Sequence, residues 1–340
     1  MKVVQVFRAR NHSSESVEIL FRAINPHFSS IDVVKFRLLT RRADPFSVVL
    51  NGLYLYLACF RRLFRRDVIF HITGECYYIA IFLFWKKTLV TFHDDYALKI
   101  AKSKLSFLYK KYLFYEFPMR CAKQVVFISS SSKSSVGVYC NMPAKAQVIH
   151  NPLTLGAGNE IEPESGFNKL AELRYIFIIG TNPNKNILRM FNLLPHNANV
   201  IVLGGLEAKH KEILIRKNVS LFNFIKVSES ELRFLYSHAF FLLFLSKYEG
   251  FGLPIIEAQY YKCPVVCSKL KVFYEIADNS NVVFVDEDKS DLNDEIVLLS
   301  DIKYRSKLIK NGSINARRFE PILAAQSYEN LYCDLINTNE

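Results

Sequence analysis

Short runs rich in β-branched and aromatic residues alternate with segments of helical period along this chain, and the alternation stops once and starts again. Val3–Phe7, Val68–Ile72, Thr88–Phe92 and Gln124–Ile128 read as strands, with Ser16–Ile24 and Lys102–Tyr115 as helices between them. A stretch rich in Pro, Gly and acid follows at 151–165 (NPLTLGAGNEIEPES) and reads as a linker. Beyond it the pattern resumes. Tyr175–Ile179, Val200–Leu203, Phe240–Leu245, Pro264–Cys267 and Val282–Val285 read as strands, and Asn186–Leu194, Glu229–Ser237 and Pro254–Tyr261 as helices. A strand that is followed by a helix each time pairs in parallel and needs helices on both faces of its sheet. The fold class is therefore α/β, in two domains: 1–155, then 156–320, with a C-terminal helix over 321–340 expected to pack back toward the first. The 340 residues suit two domains, and 50% apolar with 22% charged residues excludes a disordered or low-complexity chain.

Charge is unevenly placed. Residues 1–150 hold 23 Lys/Arg against 9 Asp/Glu, a net of +14, while 151–340 carry a net of −2. The first domain therefore prefers an anionic partner. Seven cysteines include no CxxC pair, which reads as free thiols in a reducing compartment and no metal site. The most apolar stretches, Tyr77 to Trp85 and Ala239 to Leu245, fall far short of the roughly 20 residues that span a bilayer. The N-terminal segment has no apolar core of signal-peptide length, so the expectation is a cytoplasmic protein, at most peripheral to a membrane.

Ligands of open α/β sheets bind beyond the carboxyl ends of strands, which directs attention to the loops there. The richest is Ser246-Lys247-Tyr248-Glu249-Gly250-Phe251-Gly252-Leu253-Pro254-Ile255-Ile256-Glu257. Two glycines allow close backbone approach, the helix start behind them offers free N–H groups to an anion, and Glu249 and Glu257 can each accept from paired sugar hydroxyls. The string Glu-Gly-Phe-Gly-Leu-Pro-Ile-Ile-Glu-Ala, followed by Cys263-Pro264-Val265-Val266-Cys267-Ser268 and Glu275-Ile276-Ala277, resembles the signature of family 4 retaining glycosyltransferases, the glycosyl transferases group 1. That resemblance implies the GT-B fold, two Rossmann-like domains facing each other across a cleft.

It further implies roles. Glu249 would lie at the donor sugar and Glu257 at the nucleotide ribose, with the amides around Gly250, Phe251, Gly252 and Leu253 holding hydroxyls and phosphate. Gly180-Thr181-Asn182-Pro183-Asn184-Lys185-Asn186 looks like the donor-phosphate loop, in which Lys185 neutralises the leaving diphosphate. Relatives often carry Arg where Thr181 stands, so one cation is missing unless Arg8 or Arg10 supplies it. Thr88-Leu89-Val90-Thr91-Phe92-His93-Asp94-Asp95 resembles the strand whose His reaches the donor sugar across the cleft, with Asp94 as a cap or loop-ordering acid. His71-Ile72-Thr73-Gly74-Glu75 is expected to line that cleft. The first strand–helix loop, Arg8 to Glu15, lacks the glycine pair common in relatives.

The basic half faces the acceptor in such proteins. Arg61, Arg62, Arg65 and Arg66 form a dense basic–aromatic cluster, and Lys110 and Lys111 lie in a basic segment with interleaved aromatics. Both suit an anionic membrane surface beside a polyprenyl-diphosphate-linked glycan. No nucleic-acid-binding signature is present. The expected activity is transfer of a hexose from a UDP- or GDP-linked donor to a glycan hydroxyl, with retention and without a metal or other cofactor, in bacterial surface polysaccharide synthesis at the inner face of the plasma membrane. A nucleotide-sugar epimerase of the same architecture and a non-catalytic subunit of a glycan assembly complex remain as alternatives.

Overall fold

The computed structural model describes residues 1–10, 16–155 and 167–337. Residues 11–15 of the first loop and 156–166, which include most of the linker and the expected 155/156 boundary, lie outside the described residues. The chain forms two compact units, Met1–Pro152 with Pro321–Glu340, and Leu153–Glu320. Each is built on a six-stranded sheet in which every pairing is parallel.

In the first unit β1 (Lys2–Phe7), β2 (Asp32–Arg37), β3 (Val68–Ile72), β4 (Thr88–Phe92), β5 (Gln124–Phe127) and β6 (Ala146–Val148) run in the order β2-β1-β3-β4-β5-β6. In the second, β7 (Tyr175–Ile179), β8 (Asn199–Leu203), β9 (Ser220–Phe224), β10 (Phe241–Phe244), β11 (Val265–Ser268) and β12 (Val283–Val285) run in the order β12-β11-β10-β7-β8-β9. Central strands of parallel sheets are covered on both faces and so read as unbroken apolar runs. All residues of β3, β4, β10 and β11 are buried.

The expected helix over Lys102–Tyr115 is instead two pieces. An α-helix, Lys104–Lys110, is capped by the Ser103 hydroxyl, which accepts from the Ser106 amide at 3.2 Å. The backbone then widens into a π-helical turn over Lys111–Glu116. Pro118 follows at once; it cannot donate to the turn before it and its ring crowds the carbonyl four residues back.

The C-terminal helix Pro321–Asn337 packs on the first sheet, burying Tyr328, Leu331 and Tyr332 against Val3, Phe21 and Ile69. His71, expected near a ligand, lies in this interior instead. Its Nδ1 is 2.6 Å from the Tyr332 hydroxyl and its Nε2 is 2.8 Å from Thr91 Oγ1. Burial without a carboxylate partner pushes the imidazole down to about 3, so it is neutral and structural. The pattern-based expectation fails here because β3 is central: its side chains point to the two covered faces, and ligand-facing positions begin only after it ends.

Candidate functional site

The strand order of the second unit places its binding crevice. From β7 the chain builds outward through β8 and β9, then returns to add β10 on the other side of β7. The loops after β7 and β10 therefore diverge to opposite faces and leave a gap between them, the switch point at which open α/β sheets take ligands. These are the loops that hold Gly180–Asn186 and Ser246–Gly252.

The first loop leaves β7 through Gly180 at φ +83°, where a Cβ would come within 3.1 Å of Lys185 Cε. Glycine thus permits both the turn and the passage of the Lys185 stem across it. A short 3-10 turn, Pro183–Lys185, and Asn186 at φ +59° lead into the helix Ile187–Leu193. The second loop is tied to the first by two bonds: the Lys247 amide donates to Asn184 O at 2.8 Å, and Asn184 Nδ2 donates to Tyr248 O at 3.1 Å. This brings Lys185 Nζ to 2.6 Å from Glu249 Oε1, which also accepts from the Ser246 hydroxyl at 2.7 Å. The ammonium lies 4.7 Å from the centre of the Phe244 ring. Lys185 and Glu249, 64 residues apart, thus form one half-buried ion pair at the switch point. Thr181 packs on Gly204 in the loop after β8, in the space a side chain at 204 would occupy.

Gly252, at φ +113°, precedes the helix Leu253–Tyr260. A Cβ there would meet the Phe273 ring at 2.9 Å. Phe251 turns its side chain inward, edge-on to Phe319 with ring centres 5.7 Å apart. Glu257 is buried. Its Oε1 accepts from the Thr154 hydroxyl at 2.8 Å and its Oε2 from the Tyr236 hydroxyl at 3.0 Å. Burial raises the carboxyl above its usual range, against the lowering effect of those two donors. It is a pre-ordered acceptor with one lone pair still free on each oxygen.

In the first unit the sheet order reverses between β1 and β3. Arg8, just after β1, ion-pairs with Glu75, just after β3. His93 follows β4. Its Nε2 donates to Thr73 O at 2.7 Å, which leaves Nδ1 as an acceptor, and its amide donates to the Tyr77 hydroxyl at 3.1 Å. Burial lowers its pKa, so the ring is neutral at pH 7. Asp94 orders the next turn, accepting from the Tyr96 amide at 3.0 Å. These loops surround a cavity of about 420 Å³ lined by Arg8, Glu75, Asp94, Tyr77, Tyr78 and Arg41 among others.

Arg41 was not legible as a site residue. It follows β2, a half-exposed edge strand that the apolar pattern does not reveal. The loop that carries it is held by buried Asn51, whose Oδ1 accepts from the Leu39 and Thr40 amides and whose Nδ2 donates to Thr40 O and the Tyr78 hydroxyl. Arg41 Nη1 is buried with no hydrogen-bond partner among the described residues.

Arg61 and Arg62 end the helix Pro45–Leu63, followed by Arg65 and Arg66. Arg65 binds Asp67 through Nε at 2.9 Å and Nη2 at 2.6 Å. Lys110 and Lys111 are half-buried, with Lys111 Nζ 5.6 Å from the Tyr112 ring centre. Among the described residues no cluster of His, Cys, Asp and Glu is placed to hold a metal ion, and no helix is long and apolar enough to cross a membrane.

Residues 168–314, most of the second unit, match the family described as glycosyl transferases group 1. The chain is 28% identical over 214 residues to the O-antigen chain mannosyltransferase RfbU of Salmonella typhimurium; the match covers 59% of this chain and 58% of that one. It is 26% identical over 298 residues to the O-antigen chain mannosyltransferase B of Escherichia coli, covering 80% and 74%. Among solved structures, Anabaena HepE in complex with UDP and glucose superposes with a TM-score of 0.74 at 16% identity, covering 98% of this chain and 100% of that one. A Rickettsia africae glycosyltransferase gives 0.74 at 15%, covering 99% of each. At such identities the structural likeness establishes the fold, which is GT-B.

Proposed function

We propose that the chain, which matches the group 1 glycosyltransferases over residues 168–314 and has the GT-B architecture, transfers a hexose from a nucleotide-linked donor to a hydroxyl of a growing surface glycan, with retention at the anomeric carbon. The observation that carries the reading is the Lys185–Glu249 pair, held at the switch point of the second sheet by two loops that bond to each other. A donor diphosphate placed there takes Lys185 as its counter-ion and the amides at the start of Leu253–Tyr260 as donors. As the glycosidic bond breaks, negative charge grows on the leaving phosphate, and Lys185 stabilises it more than the ground state. Glu249, pre-oriented by Ser246, accepts from a sugar hydroxyl and stabilises positive charge on the ring. Glu257 accepts from the ribose hydroxyls.

Lys185 supplies the cationic role in this reading without a metal, so a chelator should leave turnover unchanged. His93, neutral and with Nε2 committed to Thr73 O, keeps Nδ1 as an acceptor for a sugar hydroxyl. The acceptor glycan takes the cavity of the first unit, where Arg41 and Arg8 donate, Glu75 and Asp94 accept, and tyrosine faces offer apolar contact. The names of both curated relatives make mannose the first hexose to try and the cytoplasmic face of a bacterial membrane the proposed place of action.

Thermal unfolding against UDP-, GDP- and dTDP-hexoses tests the donor assignment. A donor at 100 times its Kd adds about 2.7 kcal/mol. One nucleotide class should raise Tm, and the rise should shrink by about half or more in Lys185→Ala. A rise of undiminished size in that variant would remove the site from the second-unit switch point.

A further inference from the structure

The helix Pro45–Leu63 has 19 residues, no acidic side chain, and charge only at Arg61 and Arg62 in its last turn. Its inward face is an ordinary core stripe of Val48, Leu55, Cys59 and Leu63, all buried. Its outward face is apolar too. Phe46, Val49, Leu50, Leu53, Leu57 and Phe60 recur at three- and four-residue steps, which is one side of a 3.6-residue helix, and Phe64 extends the line past the end. These are exposed: Phe46 by 77%, Leu57 by 79% and Phe64 by 74%. A surface helix in contact with water carries polar side chains on that side. Scattered exposed apolar residues are common, whereas a continuous row over five turns marks a docking face.

The surroundings identify the occupant. Trp85 stacks on Tyr56 of this helix at 5.6 Å and is 49% exposed, with Phe84 edge-on to it at 5.0 Å. Lys86 Nζ donates to Arg65 O at 3.1 Å, joining the same margin to the arginine cluster. At the C-terminal end of the row a hollow of about 480 Å³ is lined by Lys2, Arg61, Arg62 and Arg65 together with Leu57 and Phe60, and by no acid. Lys2 is paired with Asp32 at 3.0 Å and Arg65 with Asp67 at 2.6 Å, so the excess positive charge at the hollow comes from Arg61 and Arg62. A basic hollow that opens beside an apolar ridge, with a tryptophan at its edge, matches the layering of a bilayer: phosphate headgroups, interface, acyl chains. A protein partner would be met by this ridge equally well, but the positive charge that Arg61 and Arg62 leave at its end favours an anionic surface.

We propose that the outward face of Pro45–Leu63 lies in the plane of an anionic membrane, with its apolar row at the acyl boundary and lipid phosphates seated among Lys2, Arg61, Arg62 and Arg65. The contact gives the transferase reading a place of work but does not depend on donor chemistry.

Trp85 is the chain's single tryptophan, so its emission reports this face alone. The full chain is mixed with vesicles of phosphatidylglycerol and phosphatidylethanolamine, and separately with pure phosphatidylcholine. Expected are co-sedimentation with the anionic vesicles, a blue shift of Trp85 emission, and quenching by acyl-brominated lipid. Leu53→Glu with Leu57→Glu, both at exposed positions, should cut anionic-vesicle partitioning at least tenfold while leaving Tm and the donor-induced Tm rise unchanged. Replacing Arg61, Arg62, Arg65 and Arg66 with Ser should flatten the salt dependence of binding. Equal binding of the double variant and wild type would overturn the proposal. So would wild type that ignores both vesicles, or that light scattering shows to be a dimer which the double variant dissolves without any vesicle binding. Vesicle binding without any donor response would instead count against the transferase reading alone.

Discussion

Glu249 is ion-paired with Lys185, the cation proposed to serve the donor diphosphate, so the two members of the pair should respond to mutation with opposite signs. Lys185 is 17% exposed and Glu249 12%, at 2.6 Å. Lys185→Ala removes a charge-assisted bond to phosphate, worth about 1.5–3 kcal/mol, and so weakens nucleoside diphosphate binding about 10- to 150-fold. Glu249→Gln keeps size and hydrogen bonding but removes a negative charge at about 5 Å from a phosphate that shares Lys185. At an effective dielectric of about 20 the bare repulsion is about 3 kcal/mol, and with Lys185 between the groups a net of about 1 kcal/mol remains, a roughly fivefold gain in affinity. The same substitution should lower kcat about 100-fold or more, because the charge that stabilises the reacting sugar is gone. In the double variant the affinity gain should change size, since the two groups act through each other. Titration calorimetry of UDP and GDP on all four proteins reads the cycle. Weaker nucleotide binding in Glu249→Gln, or Lys185→Ala within twofold of wild type, would refute the reasoning.

Arg41→Ala should raise the KM for acceptor several-fold while leaving donor affinity unchanged; a change in donor affinity alone would contradict the acceptor role of the first-unit cavity. Gly252→Ala places a Cβ 2.9 Å from the Phe273 ring at φ +113°, so a loss of about 1–3 kcal/mol in urea unfolding is expected. His71 titrates at about 3 in the fold and near 6.5 when unfolded. The unfolded chain therefore takes up the proton first, and stability present in full above pH 6.5 should fall by about 1.4 kcal/mol per pH unit as pH drops toward 3. His71→Gln should remove that part of the slope whatever its effect at pH 7. Tyr332→Phe, which leaves His71 Nδ1 unbonded in the interior, should cost about 1–3 kcal/mol, measured by urea unfolding.

The central strands and the second-unit loops were legible because covered parallel strands are apolar throughout and their loops carry glycine and proline at positions fixed by backbone conformation. Thr88–Phe92 and Tyr175–Ile179 fall where the pattern puts them. The strands Asp32–Arg37 and Ser220–Phe224 escaped because edge strands are half-exposed and mix polar with apolar residues. With Asp32–Arg37 went the loop that carries Arg41. His71 misled because adjacency to a strand end says nothing of which side a covering helix occupies; Pro321–Asn337 comes from the far end of the chain. The apolar row of Pro45–Leu63 was hidden for a related reason: a helix apolar all round looks like core until its exposure is known. That Lys185 and Glu249 meet is a fact of sheet order, which no local spacing encodes.

The most direct test of the central claim follows a labelled hexose from its nucleotide donor, GDP-mannose first, in the presence of simple alkyl glycosides and of extracted lipid-linked glycan, with product configuration read by NMR. Expected are a new glycoside with the anomeric configuration of the donor and at least a 100-fold slower reaction in Lys185→Ala. Donor that is epimerised or left unchanged, with no glycoside formed under any acceptor, would contradict the account.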